Sequence, residues 1–132
     1  MKVYEAAENY LEAILMISKQ KQTVRAADIC RFFGYSRPTV SAMIKQLREN
    51  GYVSVDNENL LTLTEKGMGL ASDIYERHMI ISKLLMFIGV TEETAFDDAC
   101  KIEHDISAST FECLKKAVQQ LDGKRPDGGT VI

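Results

Sequence analysis

The chain has 132 residues, of which 45% are hydrophobic and 27% charged, with 8 Gly and 2 Pro. This composition is typical of a globular chain with a sizeable core, organised as one domain or as one domain and a small appendage. No apolar run approaches the roughly 18 residues of a membrane span, so we expect no membrane partner. The N-terminus lacks a secretion signal and the three Cys are an odd number, which together predict a cytoplasmic protein without disulfides.

The net charge of −3 conceals an uneven distribution. Residues 19–51 hold seven basic groups against two acidic ones, so this segment carries +5 and the remainder of the chain −8. A basic block in an acidic chain indicates a polyanionic partner for that block alone. The alternative is a solvated helix face, which charge by itself does not exclude.

Three helices are predicted in the first 50 residues. Residues 4–19 repeat apolar side chains at close to the helical period, and a second, shorter helix runs from residue 23 to Phe33 with Cys30 in its buried stripe. Gly34 is a typical residue for ending that helix. Ser36 is a good N-cap for a third helix that reaches Glu49.

A helix, a short turn with Gly and a second helix form the helix-turn-helix pattern. Two short strands, residues 52–55 and 60–63, follow with a polar turn between them and form the wing of a winged-helix domain. The alternative is a winged helix used only for protein contacts, which the basic block disfavours. We expect seven DNA-facing residues, most of them on the third helix: Arg25, Ser36, Arg37, Pro38, Thr39, Ser41 and Lys45. Arg37 and Thr39, at its N-terminal end, are best placed for phosphates or base edges, and Asn57 and Asn59 on the wing are expected to contact the DNA backbone.

The second half of the chain predicts a helical domain. A long helix reaches Ile88, a fifth runs from the N-cap Thr91 to Asp105, and Ser107 caps a sixth. The fold class is therefore mainly α, with an N-terminal winged helix-turn-helix and a two-stranded wing, followed by a helical domain. The predicted divisions are residues 1–67, 68–121 and a mobile tail at 122–132, which is rich in Gly and charge.

The segment from Cys100 to His104 carries the chemistry. On a helix Cys100, Glu103 and His104 leave one face, so thiolate, carboxylate and imidazole form half of a transition-metal site. Helical Cys, Glu and His each have commoner uses, as core or solvated side chains. The other half of a site needs ligands from elsewhere, and the candidates are His78, on an apolar helix seam, and Asn9 with Glu12.

The chain resembles the diphtheria toxin repressor family of metal-dependent transcriptional regulators. Three segments match: residues 8–14, the winged helix from Val24 to Gly67, and Arg77-His78 together with residues 97–107. The resemblance implies an Fe(II) or Mn(II) corepressor, dimerisation through the C-terminal helices and repression of metal-uptake genes. It also implies a metal site built from six residues: Asn9, Glu12, His78, Cys100, Glu103 and His104.

The chain departs from the family pattern at several positions. At Asn9 the iron members have Met and the manganese members Asp, while Cys100 is iron-like and Glu12 is manganese-like. Ser82 and Phe96 stand where iron members place ancillary metal ligands, so we expect no ancillary site. The chain also has the length of the short form, which lacks the SH3-like domain of the longer iron members.

These features predict a homodimeric, metal-dependent repressor, not an enzyme, that binds a palindromic double-stranded DNA operator. A metal ion would tie three helices together and fix two recognition helices about 34 Å apart. The soft Cys100 thiolate slightly favours Fe(II) over Mn(II), and Zn(II), Co(II) or Ni(II) are expected as further metals that bind in vitro. The rival interpretations are a winged-helix regulator that senses an oxidant or a small ligand, and a metalloenzyme. No small organic substrate is expected.

Overall fold

A computed structural model describes residues 3–123, with side chains from residue 5 to residue 121. Six helices and two strands follow one another in this part of the chain: α1 (Val3–Gln20), α2 (Ala26–Phe33), α3 (Arg37–Glu49), β1 (Val53–Val55), β2 (Leu61–Leu63), α4 (Glu65–Phe87), α5 (Glu92–Ile102) and α6 (Ala108–Gly123). The predicted mainly α fold with a two-stranded wing is confirmed. None of the described helices is long and apolar enough to cross a membrane.

The chain divides into two compact units, Met1–Asp73 and Ile74–Ile132. The division falls within α4, as does the predicted domain boundary after residue 67. The first unit contains α1, α2, α3 and the antiparallel pair β1 and β2, in which Val53 faces Leu63 and Val55 faces Leu61. Its buried positions follow the predicted apolar stripes, including Leu11, Ile14, Ile29, Val40 and Leu47.

The start of α2 differs from the prediction, because Thr23, Val24 and Arg25 are not helical. Val24 is extended and bridges to Leu61, whose backbone N–H donates to the Val24 carbonyl over 2.8 Å. Arg25 is the N-cap with extended dihedral angles, and its backbone N–H donates to the Asp28 carboxylate over 2.8 Å. Pairing with the wing therefore removes these three residues from the helix. Cys30, predicted to be core, is only half-buried.

Asp28 is a buried carboxylate in the first unit with several cationic partners. Lys21 Nζ lies 2.9 Å from its Oδ1, and Arg31 also donates to that oxygen. Burial alone would raise the pKa of Asp28, but hydrogen bonds from Lys21 and the Arg25 backbone, with the charges of Lys21 and Arg31, hold it below its usual value. The ionised carboxylate therefore ties the loop after α1 to the first turns of α2.

The second unit contains most of α4 together with α5 and α6. Thr91 and Ser107 accept backbone hydrogen bonds from Thr94 (3.4 Å) and Thr110 (3.1 Å), so both predicted N-caps are present. Lys115 of α6 pairs with Glu76 of α4 over 2.9 Å. Ile74, Ile81, Phe111 and Val118 are buried in this unit.

Two helix ends differ from the predictions in the second unit. The helix α5 stops at Ile102 instead of Asp105, since the Asp105 N–H donates to the Ile102 carbonyl in a tighter turn and Arg77 binds the carbonyls of Glu103 and Ile106. The helix α6 continues through residues 122 and 123, where the tail was predicted to start. The rest of the predicted mobile tail lies outside the described residues.

Candidate metal centre and nucleic-acid interface

Three of the four predicted ligands in the second unit come together. His78 lies on α4, Cys100 on the last turn of α5, and Glu103 is the C-cap of α5. His78 Nδ1 is 3.1 Å from Glu103 Oε1 and 3.7 Å from Cys100 Sγ. One candidate ligand atom from each side chain lies within 4.8 Å of the other two. The spacing of Cys100 and Glu103 thus places both side chains beside the same imidazole nitrogen.

Burial distinguishes this cluster from an ordinary surface group. The exposed fraction is 2% for His78 and 0% for Glu103, while Cys100 is half-buried. Burying a carboxylate and an imidazole is costly unless they are paired with each other or bound to a cation. Imidazole nitrogen, thiolate sulfur and carboxylate oxygen are all ligands that divalent transition metals accept. The donor set and its convergence therefore fit a divalent transition metal.

Two neighbouring side chains hold this cluster, and neither was predicted to act at the site. The ring centroids of Phe96 and His78 lie 4.4 Å apart, and the two ring planes are at 72° to each other. Arg77 donates to the backbone carbonyls of Glu103 and Ile106, over 3.0 Å in each case. Arg77 belongs to the matching segments of the sequence, but no spacing pattern indicated that it reaches a turn 26 residues further along.

The other predicted ligands are placed as follows. His104 is half-buried in the turn directly after Glu103 and is not among the three clustered residues. Asn9 and Glu12 lie on α1 in the first unit, Asn9 half-buried and Glu12 buried. Ser82 is buried on α4, four residues after His78. The ligand roles of His104, Asn9 and Glu12, and the expected lack of an ancillary site, stay predictions.

The predicted nucleic-acid side of the first unit contains a basic cleft. It has a volume of about 600 Å³ and lies between the start of α2, one face of α3 and the wing. Four cationic and three polar or acidic side chains line it: Arg25, Arg37, Lys45, Arg48, Ser41, Asn59 and Glu49. Four of the seven predicted contact residues thus lie around one cleft.

The remaining predicted contacts lie at the N-terminus of α3. Ser36 caps the helix, accepting the Thr39 backbone N–H over 3.4 Å, and its Oγ is 2.9 Å from Thr39 Oγ1. Pro38 occupies the first turn, and all three residues are exposed. Arg48 also lines the cleft but was not among the predicted DNA contacts. Its position three residues after Lys45, on the same helix face, is the signal that would have indicated it.

The wing turn is held by several hydrogen bonds. Asp56 Oδ1 accepts the backbone N–H groups of Glu58 and Leu60, over 2.8 and 2.9 Å. Asn59 adopts a positive φ of 63°, which Asn tolerates better than most residues. Arg25 Nη1 donates to the Glu58 carbonyl over 2.6 Å. Arg25, predicted to face DNA, therefore also joins the wing turn to the start of α2.

A winged helix-turn-helix with a basic cleft, followed by a helical unit in which a half-buried Cys joins a buried His and Glu, is the architecture of a metal-responsive DNA-binding regulator. Comparison with known families agrees with this class. The N-terminal DNA binding domain of the iron dependent repressors matches residues 2–59, and their metal binding and dimerisation domain matches residues 64–131. The chain belongs to this family, and the resemblance to the diphtheria toxin repressor family is confirmed.

Two individual relatives are HTH-type transcriptional regulators. The chain is 33% identical over 122 residues to an uncharacterised HTH-type transcriptional regulator of Methanocaldococcus jannaschii, covering 91% of this chain and 98% of that protein. It is 30% identical over 120 residues to the HTH-type transcriptional regulator MntR of Lysinibacillus sphaericus, covering 91% and 86%.

Among solved structures, the manganese regulator SloR is similar to the chain, with a TM-score of 0.76, 31% identity and 86% of this chain covered. The chain spans about half of SloR, 53% of its length. The family consists of transcriptional regulators that bind DNA and divalent metal, and not of enzymes.

Proposed function

We propose that the chain is a metal-dependent repressor in which His78, Cys100 and Glu103 hold a divalent transition metal as corepressor. The observation that supports this most directly is the buried convergence of these three side chains in a chain that also carries a winged helix. When bound, the ion supplies positive charge beside the buried Glu103 carboxylate. Binding thereby removes much of the cost of keeping that carboxylate ionised inside the protein.

We propose Fe(II) as the preferred corepressor over Mn(II). Thiolate is a soft ligand, whereas Mn(II) favours carboxylate and water, so Cys100 supports a preference for iron. The manganese regulator SloR supports Mn(II) as the second candidate, since it is similar to the chain over 86% of the chain's length. Zn(II), Co(II) and Ni(II) are expected to bind in vitro.

We further propose that the repressor acts as a homodimer on a palindromic operator, in the cytoplasm, and controls metal-uptake genes. The basic cleft and the exposed N-terminus of α3 support DNA contact at this surface. Cations there neutralise phosphates, while the first turn of a recognition helix is the usual place for base contacts. Asn9, Glu12 and His104 are proposed as further ligands because the family resemblance implies them.

The decisive experiment measures operator binding by fluorescence anisotropy under anaerobic conditions, with buffered free Fe(II) or Mn(II). The native protein is compared with Cys100→Glu and with Cys113→Ser. Cys113 is an exposed cysteine on α6 and therefore controls for the loss of a thiol as such. Bound metal is measured by elemental analysis on the same samples.

We expect the native protein and Cys113→Ser to respond to Fe(II) at lower free metal than to Mn(II). Cys100→Glu should narrow or reverse this difference, because it replaces a soft ligand with a hard one. If Cys100→Glu responds to both metals at the same free concentrations as the native protein, Cys100 is not a ligand and does not support a preference for iron. If operator affinity is the same with and without metal, the alternative interpretation, a regulator that senses an oxidant or a small ligand, is favoured.

Substitution also tests the three ligands that depend on the resemblance. Asn9→Ala, Glu12→Gln and His104→Ala are each expected to lower metal affinity by about tenfold or more if the side chain binds the ion, with the unfolding temperature of the metal-free protein nearly unchanged. A variant that keeps native affinity identifies a residue outside the ligand set.

A further inference from the structure

Arg77 of α4 reaches the turn between α5 and α6. Arg77 Nη1 donates to the carbonyl of Glu103 and to the carbonyl of Ile106, over 3.0 Å in each case. Its guanidinium carbon lies 5.3 Å from the centre of the Phe111 ring on α6. Arg77 therefore contacts both ends of the turn and the helix that follows it.

We propose that Arg77 is a positioning residue for the metal site, which holds the Glu103 carboxylate in register with the His78 imidazole. This inference rests on the proposed metal-binding function. Arg77 and His78 are consecutive residues of α4, while Glu103 is the residue whose carbonyl Arg77 binds. The same segment of α4 thus fixes one candidate ligand directly and a second through its backbone.

The location of Glu103 gives this contact its importance. α5 ends at Ile102 and Glu103 is its cap residue, and the last carbonyls of a helix are satisfied by groups outside the regular helical pattern. The Glu103 N–H still donates to Ala99, over 3.0 Å, and the Asp105 N–H donates to Ile102, over 3.0 Å. Arg77 adds hydrogen bonds to the carbonyls of Glu103 and Ile106.

An arginine suits this position because of its planar group. One terminal nitrogen carries two N–H groups that reach two different carbonyls, and the guanidinium carbon lies over the aromatic ring of Phe111. Lysine retains the charge and the donors but not the planar contact. Methionine has comparable reach and no donors, so Arg77→Met removes both hydrogen bonds while keeping a flexible apolar stem.

The test compares Arg77→Met and Arg77→Lys with a matched control, Lys115→Met. The control breaks the 2.9 Å ion pair between Lys115 on α6 and Glu76 on α4, next to Arg77, without touching the turn. Co(II) is the probe, because a thiolate ligand gives a charge-transfer band that reports on Cys100. Each protein is titrated with Co(II), and its metal-free form is examined by thermal unfolding and amide hydrogen exchange.

We expect Arg77→Met to lower Co(II) affinity by about tenfold to a hundredfold, the usual effect of losing a group that orients a ligand. At saturating Co(II) the charge-transfer band should persist, since Cys100 lies on the helical part of α5. In the metal-free protein the amides of Glu103 and Asp105 should exchange faster. Lys115→Met should change neither the affinity nor these amides, and Arg77→Lys should retain part of the affinity.

If the native protein binds Co(II) and Arg77→Met binds it with the same affinity, Arg77 is not a positioning residue, and the proposed metal site is unaffected. Equal losses of Co(II) affinity in Arg77→Met and Lys115→Met also overturn it, because the effect is then one of general stability. Failure of the native protein to bind Co(II) at all refutes the proposed function itself. If Arg77→Met does not fold, Arg77→Lys decides the same question through the same two measurements.

Discussion

Two glycines of α4 make a matched pair for testing how closely the wing approaches this helix. A Cβ added at Gly67 would lie 2.0 Å from the Tyr52 carbonyl oxygen and 3.0 Å from its carbonyl carbon. A Cβ added at Gly69 would meet no atom within 4 Å. The atoms that obstruct Gly67 belong to the backbone and cannot rotate away, so Gly67→Ala requires the start of α4 and the segment before β1 to separate.

The expected size of the effect follows from these contacts. Replacing an exposed helical Gly with Ala stabilises a protein by about 0.5–1 kcal/mol, so Gly69→Ala should gain roughly that amount. At Gly67 the gain is opposed by overpacking, which costs about 1–3 kcal/mol or more. Separation also weakens the 3.0 Å hydrogen bond from the Thr64 N–H to the Tyr52 carbonyl, worth about 1 kcal/mol. The two variants should differ by about 2–4 kcal/mol.

Thermal unfolding of the metal-free proteins, followed by circular dichroism, measures this difference directly. A separation of 2–4 kcal/mol corresponds to unfolding temperatures on the order of 10 °C apart for a chain of this size. Gly69→Ala should unfold slightly above the native protein and Gly67→Ala clearly below it. Equal unfolding temperatures of the two variants would show that Tyr52 does not approach α4 as closely as described.

Two further predictions concern the first unit. Arg37→Ala should weaken operator binding and reduce the slope of log affinity against log salt by about one, while the metal affinity of the free protein stays native; an unchanged slope in an anisotropy titration would place the phosphate contacts elsewhere. Asp28→Asn should destabilise the protein at about pH 7, with the difference from native shrinking below about pH 4. The lowered pKa of Asp28 gives stability that is present above the unfolded-state pKa and is lost as the pH falls through the folded-state pKa. The free energies of unfolding of the two proteins are measured with urea at both pH values. The same difference between native protein and Asp28→Asn at both would contradict the role of the ionised Asp28 carboxylate.

Local sequence signals were sufficient for most of the secondary structure. The helical period and the N-caps Ser36, Thr91 and Ser107 located the starts of three helices, because capping is determined within a few residues. Errors arose where distant residues determine the backbone. Val24 is extended because it pairs with Leu61, a partner 37 residues away that no local pattern indicates.

The candidate metal centre was predictable to the same extent. The spacing of Cys100 and Glu103 placed both on one helix face, and the unusual His78 on an apolar seam supplied a third group. Spacing did not indicate that Glu103 rather than His104 joins the cluster with His78, because both residues follow the end of α5 at Ile102, which local spacing did not locate. Arg77 acts through backbone carbonyls, and such contacts leave no residue pattern in the segment that receives them.

The position of Glu103 at the end of α5 has a consequence for the proposed metal site. Helix termini open locally at far lower free-energy cost than the interior of a fold. Opening of the turn that Arg77 binds would therefore free the Glu103 carboxylate without exposing Ala95 and Ala99, which are buried on α5. A regulator that must respond when free metal falls benefits from such a route. In the proposed metal site, the corepressor would then exchange on the timescale of local opening at a helix end, without unfolding of the domain.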